Sequence, residues 1–135
     1  MEKQNPREMK SLALAYMGDA IYEKYIREYL LRSGVVKLQQ LHQYATSFVR
    51  ATAQASVIHF WMEQGTLTEQ ELAIVKRGRN AKSGSVPKNT GVQDYRYSTA
   101  FEALLGFLYL DHQIDRLETL VQEAIEWTEK GDEHQ

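Results

Sequence analysis

Cysteine is absent from the 135 residues. Disulfides, thiolate zinc sites and a cysteine nucleophile are therefore excluded. Proline is nearly absent. Its two copies, Pro6 and Pro87, leave everything between Met9 and Arg79 free to be helical. Long apolar runs are also missing. The longest, Ala103 to Leu110, has eight residues, where a membrane helix needs about twenty. The segment from Met1 to Arg7 lacks the apolar stretch of a signal peptide. The absence of an export signal favours the cytoplasm, with which the absence of cysteine is compatible, and nothing here spans a membrane. No glycine-rich phosphate loop with Lys-Ser or Lys-Thr opens a helix.

What is present is one domain's worth of ordinary globular chain, 43% hydrophobic and 25% charged. The domain is expected to span residues 1–135, with an ordered core from about 8 to about 128. The net charge is only -2, but its placement is uneven. Between Leu72 and Gln93 stand Lys76, Arg77, Arg79, Lys82 and Lys88 with no acid, whereas eight acids and two bases follow from Asp111 onward. A local cluster of five cations on a slightly acidic background suits a polyanion, although a solvated loop gives the same pattern.

The periodicity predicts an all-α fold of five or six helices. Leu12, Tyr16, Ile21, Tyr25 and Leu30 recur at helical spacing from a Ser11 cap to Ser33-Gly34. A second stretch from Val36 to Gly65 is too long for one globular helix and should break between Val49 and Ser56. Thr68 and Glu71 form a capping-box pattern for a helix ending near Asn80. Residues 81–95 read as one long irregular loop. Ser98 or Thr99 then caps a helix so apolar that it should be buried on most sides. A last amphipathic helix carries Ile114, Leu117, Leu120, Val121 and Ile125 before the polar tail from Lys130.

Two acids stand out. Glu102 lies in the most apolar helix, and Asp19 follows Gly18 among apolar neighbours. A carboxylate placed against a core is normally paired, hydrogen-bonded or bound to a metal. Two such acids on facing helices can share a hard cation. Alternatively, each caps a backbone group or pairs with a base such as Lys24 or Arg96. Glu23, one turn after Asp19, could join an outer shell but reads better as a surface residue. His42, His59, His112 and His134 show no ligand spacing, Ser83 and Ser85 lack a visible base, and Tyr16, Tyr22, Tyr25 and Tyr29 suit a core or an oligomer face.

Three blocks together carry a resemblance. Met17-Gly18-Asp19-Ala20-Ile21 resembles the signature helix of the ribonuclease III family. Ala100-Phe101-Glu102-Ala103-Leu104-Leu105-Gly106 and its continuation to Asp111 resemble that family's second acidic helix. Between them, Lys76-Arg77-Gly78-Arg79-Asn80-Ala81-Lys82-Ser83 resembles its arginine-glycine segment. The order and spacing are the family's. Two of its usual carboxylate positions differ, holding Ala15 and Thr99. The chain ends where the family's double-stranded-RNA-binding domain would begin, a pattern similar to the short bacterial branch.

The resemblance implies an endoribonuclease that hydrolyses double-stranded RNA, leaving a 5′-phosphate and a 3′-hydroxyl. Asp19 and Glu102 would be the catalytic and metal-holding acids, and magnesium the cofactor, with manganese as a substitute. Lys76, Arg77, Arg79, Lys82, Lys88 and Arg96 would contact the RNA. It also implies a homodimer and, for the short branch, maturation of the large-subunit (23S) ribosomal RNA precursor. The alternatives are a non-catalytic RNA-binding module that keeps the fold, or a helical scaffold meeting an acidic protein surface.

Overall fold

The computed structural model describes residues 2–82 and 86–131. Ser83, Ser85 and His134 lie outside them. After a 3-10 turn at Pro6–Glu8 come six helices: α1 (Ser11–Arg32), α2 (Leu38–Val49), α3 (Ala51–Gln64), α4 (Glu69–Asn80), α5 (Val92–Leu110) and α6 (Ile114–Glu129). There is no strand among the described residues, as the periodicity predicts. None of these helices is long and apolar enough to cross a membrane.

The punctuation of the sequence fixes most boundaries. Arg50, with φ -66° and ψ 155°, is one extended residue ending α2 and opening α3, so the predicted break is a single-residue corner. Gly65 stops α3 in the left-handed region at φ 64°. Thr68 and Glu71 exchange both capping-box hydrogen bonds at the start of α4.

Two expectations are corrected. Ser11 is the first residue of α1, and the cap position is Lys10, which makes no side-chain cap hydrogen bond. Ser98 and Thr99 do not cap α5, which begins at Val92. Their hydroxyls donate instead to the Tyr95 carbonyl at 2.8 and 3.1 Å. Bonded inside the helix in this way, the two residues cease to be a start signal. Helix therefore replaces the last part of the predicted irregular stretch, from Val92 onward.

Helix α5 is the axis of the molecule. From Ser98 to Leu108 every residue except Glu102 is buried. Phe101 lies between Tyr22 of α1, edge-on at 4.7 Å, and Trp61 of α3, stacked at 5.7 Å. Helices α1 and α5 touch through their backbones. A Cβ on Gly18 would lie 1.7 Å from the Glu102 carbonyl oxygen, and one on Gly106 would lie 1.9 Å from that of Leu14. Only glycine permits this approach. It brings the Gly18-Asp19 turn of α1 directly against Glu102.

Candidate carboxylate site

The backbone contact at Gly18 decides the geometry of the site, because the next residue is Asp19 and the element touched is Glu102 itself. Glu102 sits mostly below the surface, while Asp19 is exposed. The two carboxyl groups are hydrogen-bonded. Burial pushes the Glu102 carboxyl up to about 8, helped by the negative charge of Asp19 and the hydrogen bond to it. Glu102 therefore holds its proton more firmly than an ordinary carboxyl and can donate it toward Asp19.

A third group completes the cluster. Gln54 of α3 is 2% exposed. Its side chain hydrogen-bonds to Glu102 and opposes the rise. The residues marking the family's missing carboxylates, Ala15 and Thr99, are both buried, and the Thr99 hydroxyl is committed to Tyr95. Sequence reasoning missed Gln54. Its only signal is one amide within the small-residue run Ala51-Thr52-Ala53-Gln54-Ala55.

The alternative of pairing with Lys24 or Arg96 is not realised. Among the described residues the ion pairs are Arg27–Glu23, Arg32–Glu28 and Arg116–Glu71. Lys24 lies over the Tyr25 ring, and Arg96 is exposed. Glu23 is a surface partner of Arg27 at 2.8 Å. The acid pair is left with a shared proton where a cation could be.

The donor chemistry fits a hard divalent cation: two carboxylates supply oxygen donors, and the Gln54 amide holds one of them in place. No group of three or more acidic, histidine or cysteine side chains suited to a metal occurs among the described residues. A cation held here would therefore keep several coordination positions for water or phosphate oxygens, as magnesium usually does.

The basic segment begins at the end of α4. Lys76, Lys82, Lys88 and Arg96 are exposed. Arg79 is half-buried, its Nε donating to Asn80 Oδ1 at 3.3 Å. Arg77 is differently placed. Its guanidinium donates to the backbone carbonyls of Arg7 and Met9 at 3.2 and 3.1 Å. Nothing in the sequence signals that contact.

The remaining candidates are structural or superficial. Tyr22 is core, Tyr25 and Tyr29 hydrogen-bond to Glu118 and Glu129, and Tyr16 is 84% exposed. His42 and His112 are exposed, and His59 lies tilted against Tyr97 at 4.3 Å.

Comparison with known proteins gives a consistent result. Residues 12–113 match the Ribonuclease III domain. The chain is 47% identical over 131 residues to Mini-ribonuclease 3 of Symbiobacterium thermophilum, covering 97% of this chain and 99% of that protein. It is 46% identical over 117 residues to Mini-ribonuclease 3 of Staphylococcus aureus, with 87% of each chain covered. Among solved structures, protein FN1578 from Fusobacterium nucleatum is similar at a TM-score of 0.81 and 30% identity, over 92% of this chain and 98% of that one.

Proposed function

Because the chain belongs to the ribonuclease III family and is an endoribonuclease of that type, we propose that it cleaves duplex RNA at the Asp19–Glu102 pair with the aid of a divalent cation, magnesium by preference. The observation that carries this reading is the contact of the two acids beside Gln54, with no ion pair to a base among the described residues.

In this mechanism Asp19 and Glu102 would hold the cation through their carboxylate oxygens, and Gln54 orients Glu102 from the buried side. When bound, the cation lowers the pKa of a water and offsets charge developing on the phosphate oxygens. Glu102 would have to give up its proton to become a ligand, so binding of a cation there would release that proton and tighten as pH rises. Water adds to phosphorus as the bond to the 3′ oxygen breaks; the attacking water gives up a proton and the departing 3′ oxygen takes one from solvent, leaving a 5′-phosphate and a 3′-hydroxyl.

Duplex RNA is recognised through its shape, phosphates and 2′-hydroxyls. Lys76, Arg79, Lys82, Lys88 and Arg96 supply cations for its backbone, which makes binding salt-dependent. Each subunit cuts one strand, and a homodimer cuts both. Tyr16, Leu12, Leu31, Val36 and Leu38 leave apolar side chains exposed along α1, its connection to α2 and the start of α2, which favours a subunit interface there. The substrate in this reading is the duplex stem of the large-subunit ribosomal RNA precursor, in the cytoplasm.

Ala15 and Thr99 favour a second reading, an RNA-binding module without catalysis. One experiment separates the two. Purified protein with magnesium is incubated with long duplex RNA, alongside Asp19→Asn and Glu102→Gln. Cleavage by the wild type, lost in both variants while their folds persist, supports the nuclease. Equal RNA binding by all three without any cutting gives the binding module, and no binding even at low salt gives the scaffold.

A further inference from the structure

We propose that Arg77 is a positioning residue, whose guanidinium fastens the segment before α1 to the end of α4, and that the basic groove so formed takes a phosphate of the RNA backbone. The groove's occupant rests on the duplex-RNA reading above; the fastening does not.

Arg77 donates to the carbonyls of Arg7 and Met9, residues 70 and 68 positions away in the chain. These are its tertiary hydrogen bonds, and they hold a stretch that has no buried residue in its 3-10 turn. A groove of about 620 Å³ lies between the two segments. Lys10 lines it from one side, Lys76 and Lys82 from the other, and Glu8 is the acid among its lining residues. The three lysines are exposed and make no ion pair among the described residues. Four cations against one acid around a single groove attract an anion.

The groove borders the helix that carries Asp19. Ser11, on its wall, precedes Asp19 by eight residues of α1, a rise of about 12 Å and a rotation of about 80°. A strand passing the acids runs close to the groove. Arg77 keeps its charge near that path, but its fork is occupied by the two carbonyls. Lysine can replace the charge but not the planar fork that spans both acceptors.

The test compares Arg77→Lys, Arg77→Gln and Lys10→Gln with the wild type. Binding to a duplex RNA is measured without divalent cation, as a function of salt, together with trypsin cleavage at Arg7 and Lys10. Both Arg77 variants should expose those two sites, raising cleavage about fivefold or more. Both should also weaken RNA binding several-fold, and Arg77→Lys should raise KM while kcat holds. Lys10→Gln should shallow the salt dependence by about one charge. If Arg77→Lys binds like the wild type, with unchanged trypsin cleavage, while Arg77→Gln alone loses affinity, Arg77 is itself the phosphate ligand and the proposal is overturned. An unchanged salt slope in Lys10→Gln overturns the groove. A wild type that binds no duplex RNA overturns the functional reading and removes the groove's occupant, and the trypsin measurement still decides the fastening.

Discussion

Two glutamates in neighbouring helices are drawn out of water and meet opposite surroundings. Glu71, 2% exposed in α4, faces groups that want its negative charge. Arg116 reaches both of its carboxylate oxygens at 2.9 Å and also bonds the Thr66 carbonyl, while the Thr68 backbone donates to it at 3.0 Å. Burial alone would raise its carboxyl, but Arg116 and Thr68 together hold it below the usual carboxylate range. Glu102 in α5 faces Asp19 instead, and burial with that second acid lifts it to about 8. The fold closes the hydrogen bonding of Glu71 from within, whereas Glu102 is left to be completed by something from outside. An acid of the first kind supports structure, and one of the second kind is where chemistry can be done.

The largest effect that can break this comparison is on activity. Glu102→Gln and Asp19→Asn should each lower cleavage of duplex RNA by about a thousandfold or more, since in the proposed mechanism each removes one of the two carboxylates that would hold the cation. Thermal unfolding of both variants should stay at or above that of the wild type. Glu71→Gln should do the reverse. It leaves Arg116 short of its partner, costing about 2–3 kcal/mol of stability after allowing for the partial exposure of Arg116, with the per-molecule cleavage rate retained. Denaturant unfolding and single-turnover cleavage, measured on the same preparations, would detect any exchange of these roles.

Stability against pH sharpens the contrast. The folded pKa of Glu71 lies below its ordinary 4.5, so its contribution is complete above that value and is lost as pH falls through the folded value. Glu102 is raised from 4.5 to about 8. Its contribution is present below 4.5 and is lost as pH climbs toward 8, where the folded state must accept a second negative charge. Metal-free protein should therefore weaken between pH 4.5 and 8, and Glu102→Gln should flatten that decline. At pH 8 the variant should be more stable by about 1–3 kcal/mol. A decline of the same slope in wild type and variant would mean that Glu102 is not the group responsible.

Much of this was legible in the sequence because local signals agree with the tertiary fold. The capping box at Thr68, the stop at Gly65 and the break near Arg50 are settled by neighbouring residues. Asp19 and Glu102 stood out because charge is rare in apolar helices. Other features depend on contacts remote in sequence. The start of α5 was hidden because Ser98 and Thr99 bond the Tyr95 carbonyl in hydroxyl chemistry that a cap would also use. Arg77 read as a phosphate ligand within a basic run, and only the fold reveals that two carbonyls of the amino-terminal segment occupy it. Gln54 lay in a small-residue run, and its importance comes from the helix packed opposite.

Gln54 gives the smallest and most discriminating effect. Its side chain is the one influence on Glu102 that lowers the carboxyl against burial and Asp19. Gln54→Leu removes that hydrogen bond and adds apolar surroundings, so the Glu102 carboxyl should rise further. Loss of the proton, which cation binding requires, then needs a higher pH. The acid limb of the kcat/KM profile should move upward by about half a unit, which lowers activity on that limb about threefold. The plateau above it should be restored. Gln54→Glu places a third acid in the cluster and should move the limb further in the same direction. If the limb stays fixed in Gln54→Leu while the plateau falls, Gln54 supports the packing of α3 on α5 and does not tune the acid. The profile should be measured at one fixed, subsaturating magnesium concentration, with cation affinity determined separately on the plateau, so that weaker cation binding is not mistaken for a shifted proton.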